Sequence, residues 1–435
     1  MIKKFQDIFS IPELKRRILF TIGLLIVYRI GGHITAPGVN PIALKAFFTA
    51  QQGTIFALYD LFAGGNLRRA TIFALGIMPY ISASIILQLL QAVIPYFEKL
   101  AKEGEEGRKK LTQYTRYGTV GLALVQSVGI SLFLENMNVG GVPVVPYGGI
   151  AFKLLTMITL TSGTIFVMWL GEQISERGIG NGISLIIMIG IIARYPTDFL
   201  NTWRAIKLGQ VTPFRMIFFI AIMVVVIGGV ILITQGQRRI PVQYAKRIVG
   251  RKIYGGRAQY IPLRVNTAGV IPIIFAQSIM MFPSTLAAFF RQSEFIGTVQ
   301  TFLSPGSWLY LSLYAIIIIF FTYFYTAIIL NPIDLAENMK KYGGFIPGIR
   351  PGKRTSDYID RILTRVTLPG AVFLAFIAIL PDIMMRKGGL PFYFGGTGLL
   401  IVVGVMLDTL QQIETHLLMR HYDGFMKKGR LRGRR

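Results

Sequence analysis

Apolar residues along this chain fall in long uninterrupted runs, not in the periods of 3.6 or 2 that mark half-buried helices and strands. Met216–Ile233 (MIFFIAIMVVVIGGVILI) has no charge over 18 residues, and Leu309–Leu330 has none over 22. Each is long enough to cross a hydrocarbon core about 30 Å thick at about 1.5 Å per helical residue. The pattern predicts ten transmembrane helices, at about 18–36, 70–94, 116–135, 152–172, 181–195, 215–234, 268–290, 308–330, 366–385 and 397–416. The fold class is all-α, a polytopic integral membrane protein. Gly and Pro punctuate the second span (Gly76, Pro79), the seventh (Gly269, Pro272, Pro283) and the ninth (Pro369), and the fifth is short. Interrupted helices at comparable places in two halves fit a five-plus-five, pseudo-symmetric arrangement. The expected divisions are 1–195 (spans one to five), 196–416 (spans six to ten) and a basic tail, 417–435.

Composition agrees: 53% of the 435 residues are hydrophobic and 15% charged. The net charge of +26 raises the question of nucleic acid, so its distribution must decide. If the amino terminus is cytoplasmic, the segments 1–17, 95–116, 173–180, 235–267, 331–365 and 417–435 hold 34 of the 46 Lys and Arg. Basic residues resist translocation, so this asymmetry places both termini in the cytoplasm. The opening MIKKFQDIFSIPELKRR reads as a cytosolic lead, not as a cleavable signal peptide. With no cysteine, disulfides and thiol chemistry are excluded.

The loop 235–266 alternates apolar and basic residues (Ile240, Val242, Tyr244) and carries a Gly255-Gly256 turn, which predicts a projecting β-hairpin. Its Arg251, Lys252 and Arg257 either dock an acidic or phosphate-rich partner or simply hold the loop on its side of the membrane. The loop 331–365 adds Lys340, Lys341, Arg350, Lys353 and Arg354, and the tail ends KKGRLRGRR. Between the first two spans, residues 36–69 are too polar to span and end in LYDLFAGGNLRR, a segment suited to folding back into a cavity.

Several of these stretches carry a resemblance. ALGIMPYISASIILQLL (74–90), EGEEGRKKLTQYTR (103–116), GIGNGISLII (178–187), RRIPVQYAKR (238–247), NTAGVIPIIFA (266–276), YGGFIPGIRPG (342–352) and LLIVVGVMLD (399–408) look like the SecY family, in family order and at family spacing. Multiple long matches are far more specific than one short motif. The resemblance implies a protein-conducting channel with an hourglass pore, through which unfolded secretory polypeptides and signal sequences pass and from which transmembrane segments leave sideways into membrane lipid. It implies SecE and SecG subunits, and docking of the SecA ATPase or the ribosome at Arg251, Lys252 and Arg350. It places the chain in the bacterial inner membrane, and it implies neither a cofactor nor a small-molecule substrate.

Isoleucines recur at helical spacing in spans two, five, seven and ten: Ile81, Ile85, Ile183, Ile187, Ile271, Ile274 and Ile401. On pattern alone such residues face lipid or a neighbouring helix. The resemblance makes them the aliphatic ring of the constriction, which dewets when empty and closes around a passing chain without binding it. It also implies a re-entrant plug helix at about Leu58, Tyr59, Asp60, Leu61, Phe62, Ala63, Gly64, Gly65, Asn66, Leu67, Arg68 and Arg69. Spans two and seven are implied to flank a lateral gate. There, Gln88, Gln126 and Ser278 form either a hydrogen-bonded cluster that favours the closed gate or scattered polar packing.

Arg29 and Asp408 are charges at or near membrane depth. A proton relay is one reading. Snorkelling for Arg29, and a watery funnel or partner helix for Asp408, fits two isolated charges better. His33, His416 and His421 lie near span ends without metal-ligand spacing. A secondary transporter fits ten broken spans but needs a polar midplane site, where this chain offers isoleucine. An intramembrane hydrolase lacks HExxH, GxSxG and thiol signatures, and without GxxxxGK[ST] the driving energy must come from a partner.

Overall fold

A computed structural model describes residues 11–50, 60, 63–139, 142–209, 212–244, 247–249, 252–254, 259–289, 307–388 and 396–428. A helix lies under each expected span: Pro12–Gly31, Met78–Val93, Glu105–Glu135, Ile150–Arg177, Gly182–Ile192, Pro213–Gln235, Ile271–Phe289, Trp308–Ile329, Lys353–Gly388 and Gly396–Lys428. Among the described residues seven helical stretches are long and apolar enough to cross a membrane, and an eighth results if Met78–Val93 and Pro95–Lys102 are joined across their 99° bend.

Starts follow local chemistry. Proline, whose missing N–H is harmless in a first turn, opens the helices at Pro12, Pro79, Pro95, Pro213 and Pro332. Side chains cap others: Asn181 accepts from the Ser184 amide at 3.2 Å, and Ser307 from the Tyr310 amide at 3.1 Å. The second span departs from expectation. Its helix begins at Met78, not near residue 70, because Gly76 takes a left-handed φ of 57° and Pro79 fixes the first turn. Pro369, by contrast, lies inside Lys353–Gly388 without ending it.

The chain forms two compact units. The first comprises Met1–Arg204, Ser278–Pro305 and Val405–Arg435; the second comprises Ala205–Gln277 and Gly306–Gly404. In the first, Glu105–Glu135 packs between Met78–Val93 and Ile150–Arg177, and the latter packs against Gly182–Ile192. Two glycines make these contacts close. A Cβ on Gly163 would run into the Ile72 carbonyl, and one on Gly182 into the Gly171 carbonyl. Arg116 grips Glu172 with two bonds of 2.9 and 2.8 Å, fastening Glu105–Glu135 to Ile150–Arg177. The GIGN loop is clasped from both ends of the sequence: Thr21 Oγ1 accepts from the Ile179 amide at 3.1 Å, and Gln412 Oε1 from the Gly180 amide at 2.9 Å.

Also in the first unit, the short strands β1 (Asn138–Val139) and β2 (Val142–Pro143) pair antiparallel. In the second unit Trp308–Ile329 runs along Lys353–Gly388. Strands β3 (Gln237–Tyr244) and β6 (Gln259–Arg264) pair antiparallel from Gln237↔Arg264 to Val242↔Gln259, and β7 (Gly344–Phe345) adds to β3 at Gln243 and Tyr244. Beyond this sheet, β4 (Arg247–Val249) pairs with β5 (Lys252–Tyr254). The loop is thus a ribbon, as its alternation predicts. Val249 pairs with Lys252 at the end of β4 and β5, and the Gly255-Gly256 pair expected to form the turn lies outside the described residues.

Candidate functional site

The chain from Ala63 to Ile77 is irregular and largely buried. Ala63, Leu67, Ala70, Phe73, Ala74, Leu75 and Ile77 are each at most 4% exposed. Irregular backbone withdrawn from water must find its hydrogen bonds inside the protein, and this one finds them in part on a neighbouring segment. The Ala36 amide donates to the Ala70 carbonyl at 2.7 Å and the Ile72 amide to the Ile34 carbonyl at 3.0 Å. These bonds tie the segment to the chain just beyond the first span.

Residues 63–69 form successive turns rather than a helix, because Gly64 and Gly65 adopt left-handed φ values of 72° and 81°. Gly64 also lies against Gly190, where a Cβ would stand 3.0 Å from the Gly190 Cα. Six polar side chains hold the turn. Asp60, 3% exposed, accepts from the Arg68 amide at 2.9 Å, and its Oδ2 lies 3.6 Å from Arg68 Nε and 3.9 Å from Arg194 Nη1. Its carbonyl accepts from the Gly65 amide at 2.7 Å. Burial pushes the Asp60 carboxyl above its ordinary range, while the Arg68 amide and the two guanidinium groups pull it down. Tyr28 donates to the Ala63 carbonyl at 3.4 Å and accepts from Asn66 Nδ2 at 3.2 Å. Arg29 donates to the Gly64 carbonyl at 3.4 Å, so the turn gives it a protein partner in addition to any route to solvent.

Of the expected plug residues, Asp60 and Ala63–Arg69 are therefore placed together, whereas Leu58, Tyr59, Leu61 and Phe62 lie outside the described residues. Tyr28, Gly190 and Arg194 are participants that sequence reading missed. Tyr28 and Gly190 sit within apolar runs where nothing marks them, and Arg194 sits just past such a run.

In the first unit Ile81, Ile85 and Ile187 are buried, while Ile183 is half-buried and leans over Gly171. In the second, Ile274 and Ile401 are buried and Ile271 is half-buried. Gln126 and Ser278 are 8% and 4% exposed; Gln88 donates to Ser84 on its own helix at 3.2 Å. The Oε1 atoms of Gln88 and Gln126 and the Oγ of Ser278 are buried without a protein hydrogen-bond partner.

The two basic loops of the second unit are one body. Ile240 and Val242 of β3 and Leu263 of β6 share an apolar core with Met339, Ile346, Ile359 and Leu363. Around this core Arg238, Arg239, Arg264, Lys340, Lys341, Arg350, Lys353 and Arg354 are exposed. The Arg350 carbonyl accepts from the buried Thr355 hydroxyl at 2.9 Å, which fixes the backbone that carries its guanidinium. Lys252 lies on β5, and Arg251 and Arg257 fall outside the described residues.

Asp408 is exposed on the last helix; His33 is exposed, with Nδ1 2.8 Å from the Arg29 carbonyl oxygen; His416 is half-buried. The side chain of His421 is outside the described set. No group of three or more metal-ligating side chains occurs among the described residues.

Comparison with known proteins gives consistent likenesses. The SecY family matches residues 71–410. The protein translocase subunit SecY of Aquifex aeolicus is 47% identical over 430 residues, 98% of this chain and 100% of that protein. That of Escherichia coli K12 is 49% identical over 429 residues, 98% and 96%. Among solved structures, a SecY described for a plug domain that stabilises the closed state and maintains a membrane seal superposes with a TM-score of 0.64 at 21% identity, covering 92% of each chain. Sec61 in a canine ribosome–channel complex superposes with 0.61 at 20% identity, again over 92% of each. At these identities the structures establish a shared fold.

Proposed function

Because the chain belongs to the SecY family and is a protein-conducting channel subunit of the translocon, a multi-pass membrane protein and not a catalyst, we propose the following division of labour among its residues. Near-full-length identity of 47–49% to translocase subunits is the observation that carries this reading.

Conduction belongs to Ile81, Ile85, Ile183, Ile187, Ile271, Ile274 and Ile401 as an aliphatic constriction. Such a ring excludes water and ions when empty and yields to any side chain without binding it. Non-specific passage is what a channel for unfolded chains requires. Residues 58–69 act as the plug. The fit of Asp60 and Ala63–Arg69 into a polar and glycine-lined seat supports that role, and the described SecY relative is credited with a plug that seals. Gln88, Gln126 and Ser278 act at the lateral gate. Their buried, unpartnered oxygen atoms are acceptors that a donor on an incoming signal sequence, or a small shift of the helices, would satisfy.

Energy enters at the basic body of the second unit. Arg350, with Arg251 and Lys252, docks the SecA ATPase or the ribosome, and exposed cations on a small rigid core suit an acidic or phosphate-rich partner. The Sec61 relative occurs in a ribosome complex. SecE and SecG complete the assembly in the bacterial inner membrane, with both termini cytoplasmic as the Lys/Arg asymmetry requires.

The test is a vesicle transport assay with an unfolded secretory precursor and, in parallel, a panel of amino acids, sugars and ions. Energy-dependent passage of the precursor alone is expected; coupled uptake of a small solute without precursor passage would replace the channel reading with the transporter one.

A further inference from the structure

The plug reading leaves open what holds the seat shut, and Asp60 is the residue whose surroundings answer. It is the one acidic side chain in the segment 58–69, against Arg68 and Arg69 within the segment and Arg29 and Arg194 beside it. A carboxylate that far from water persists only if paired, and its partners belong to two different pieces of chain. Arg68 is on the turn itself: its amide and guanidinium fold the turn back onto Asp60. Arg194 is just past the end of Gly182–Ile192, four residues on from Gly190, the residue that Gly64 lies against. The two attachments differ in quality. The Arg68 amide bond is short and aligned, whereas Arg194 approaches at 3.9 Å and its buried Nε has no hydrogen-bond partner. A contact of this length shapes the turn firmly and fastens it to the helix loosely.

We propose that Asp60 is a positioning residue for channel closure, an ionic latch that preshapes the 63–69 turn through Arg68 and secures it to the Gly182–Ile192 helix through Arg194. This rests on the reading of residues 58–69 as the plug. Tyr28, Asn66 and the glycines supply the fit, and Asp60 supplies the releasable part. When the turn leaves, Arg68 departs with Asp60, and of the contacts that Asp60 itself makes only the long Arg194 one has to break, so the buried carboxylate adds little to the cost of release.

The experiment uses the assembled complex in planar bilayers, with resting ion conductance measured in the absence of substrate. Asp60→Asn keeps the shape and removes the charge. It is expected to raise the open fraction at rest roughly tenfold or more, the usual scale for a lost charged hydrogen bond. Arg194→Gln, which leaves the Arg68 bonds in place, is expected to give a smaller rise in the same direction. It also serves as the deciding variant should Asp60→Asn not accumulate. Because the chain has no cysteine, a Gly32→Cys/Asn66→Cys pair, where a Cβ on residue 32 would stand 3.5 Å from Asn66 Cγ, can pin the turn without background. Oxidising that pair in the Asp60→Asn background is expected to restore the seal, and reductant to reopen it.

Three results overturn the latch. If the charge variants conduct like the parent while deletion of residues 60–67 leaks, the plug reading stands and the latch falls. If the deletion is also silent, the plug reading itself falls, and the latch with it. If Asp60→Asn leaks but oxidation does not reseal it, Asp60 supports the channel elsewhere and is not a latch.

Discussion

In the basic body of the second unit, the backbone closes its own hydrogen bonds as a β6–β3–β7 sheet and buries a contiguous aliphatic core. In the buried turn of the first unit, the backbone of 63–69 has no such ladder and is held by one carboxylate, a tyrosine, an asparagine, an arginine and two left-handed glycines. Both regions are small, and each bears on one side of the proposed function. Aliphatic burial in a sheet is non-directional and is lost gradually as atoms are removed. A set of aligned polar bonds is lost abruptly when its geometry changes. A surface that must receive a large partner repeatedly benefits from the first. A segment that must leave its seat and return benefits from the second.

Deletion of residues 60–67 should give the largest departure between the two regions: a steep rise in resting ion conductance with export of an unfolded precursor continuing, measured in the same vesicles. An unchanged resting conductance would remove the turn from the comparison altogether. Next, Ile359→Ala, at a side chain with no exposure, should cost about 2–5 kcal/mol of local stability and impair docking of SecA or the ribosome. Hydrogen exchange across 237–264 should speed up while conductance at rest stays put; a leak from this variant would mean the two regions are not independent.

Arg350→Glu touches only the surface. It should lower docking affinity on the order of tenfold while changing stability by less than about 0.5 kcal/mol. Gln88→Leu should have the smallest effect, about 0.6–2 kcal/mol on gate opening, read as a shift in the signal-sequence strength needed for export. Since Gln88 bonds Ser84 on its own helix and leaves Oε1 unpartnered, the variant removes an unsatisfied acceptor. A shift toward the closed gate would support a role for that acceptor in opening, and no shift at all would mark Gln88 as packing.

Much of the fold is legible in the sequence because bilayer spans are contiguous signals. Eighteen uncharged residues at Met216–Ile233 leave few alternatives, and the helix Pro213–Gln235 encloses them. Alternation at Ile240, Val242 and Tyr244 likewise announces β3. What escapes is whatever depends on two distant pieces meeting. The join of β3 to β7 links Tyr244 to Gly344 across a hundred positions, and neither residue is unusual in its own segment. The pairing of β4 with β5 escapes as well, because register is set by the strands on either side and no residue in Arg247–Val249 or Lys252–Tyr254 announces its partner. Asp60 stands out as an acid in an apolar stretch, but Arg194, past the end of the short fifth span, gives no hint that it faces Asp60.

The glycine at position 163 has a mechanical consequence. Because the Ile72 carbonyl lies against it with no room for a methyl group, and Phe73 stacks between Tyr28 and Phe166 at 5.8 and 5.9 Å, the chain from residue 72 onward is clamped to Ile150–Arg177. If residues 63–69 leave their seat as the proposed plug, the motion pivots just before that clamp. Ala70 stands there with a φ of 44°, a left-handed strain of about 1–2 kcal/mol for a residue with a Cβ. A plug motion that relaxed Ala70 would recover this strain, and the seat contacts would then be the catch that opposes release.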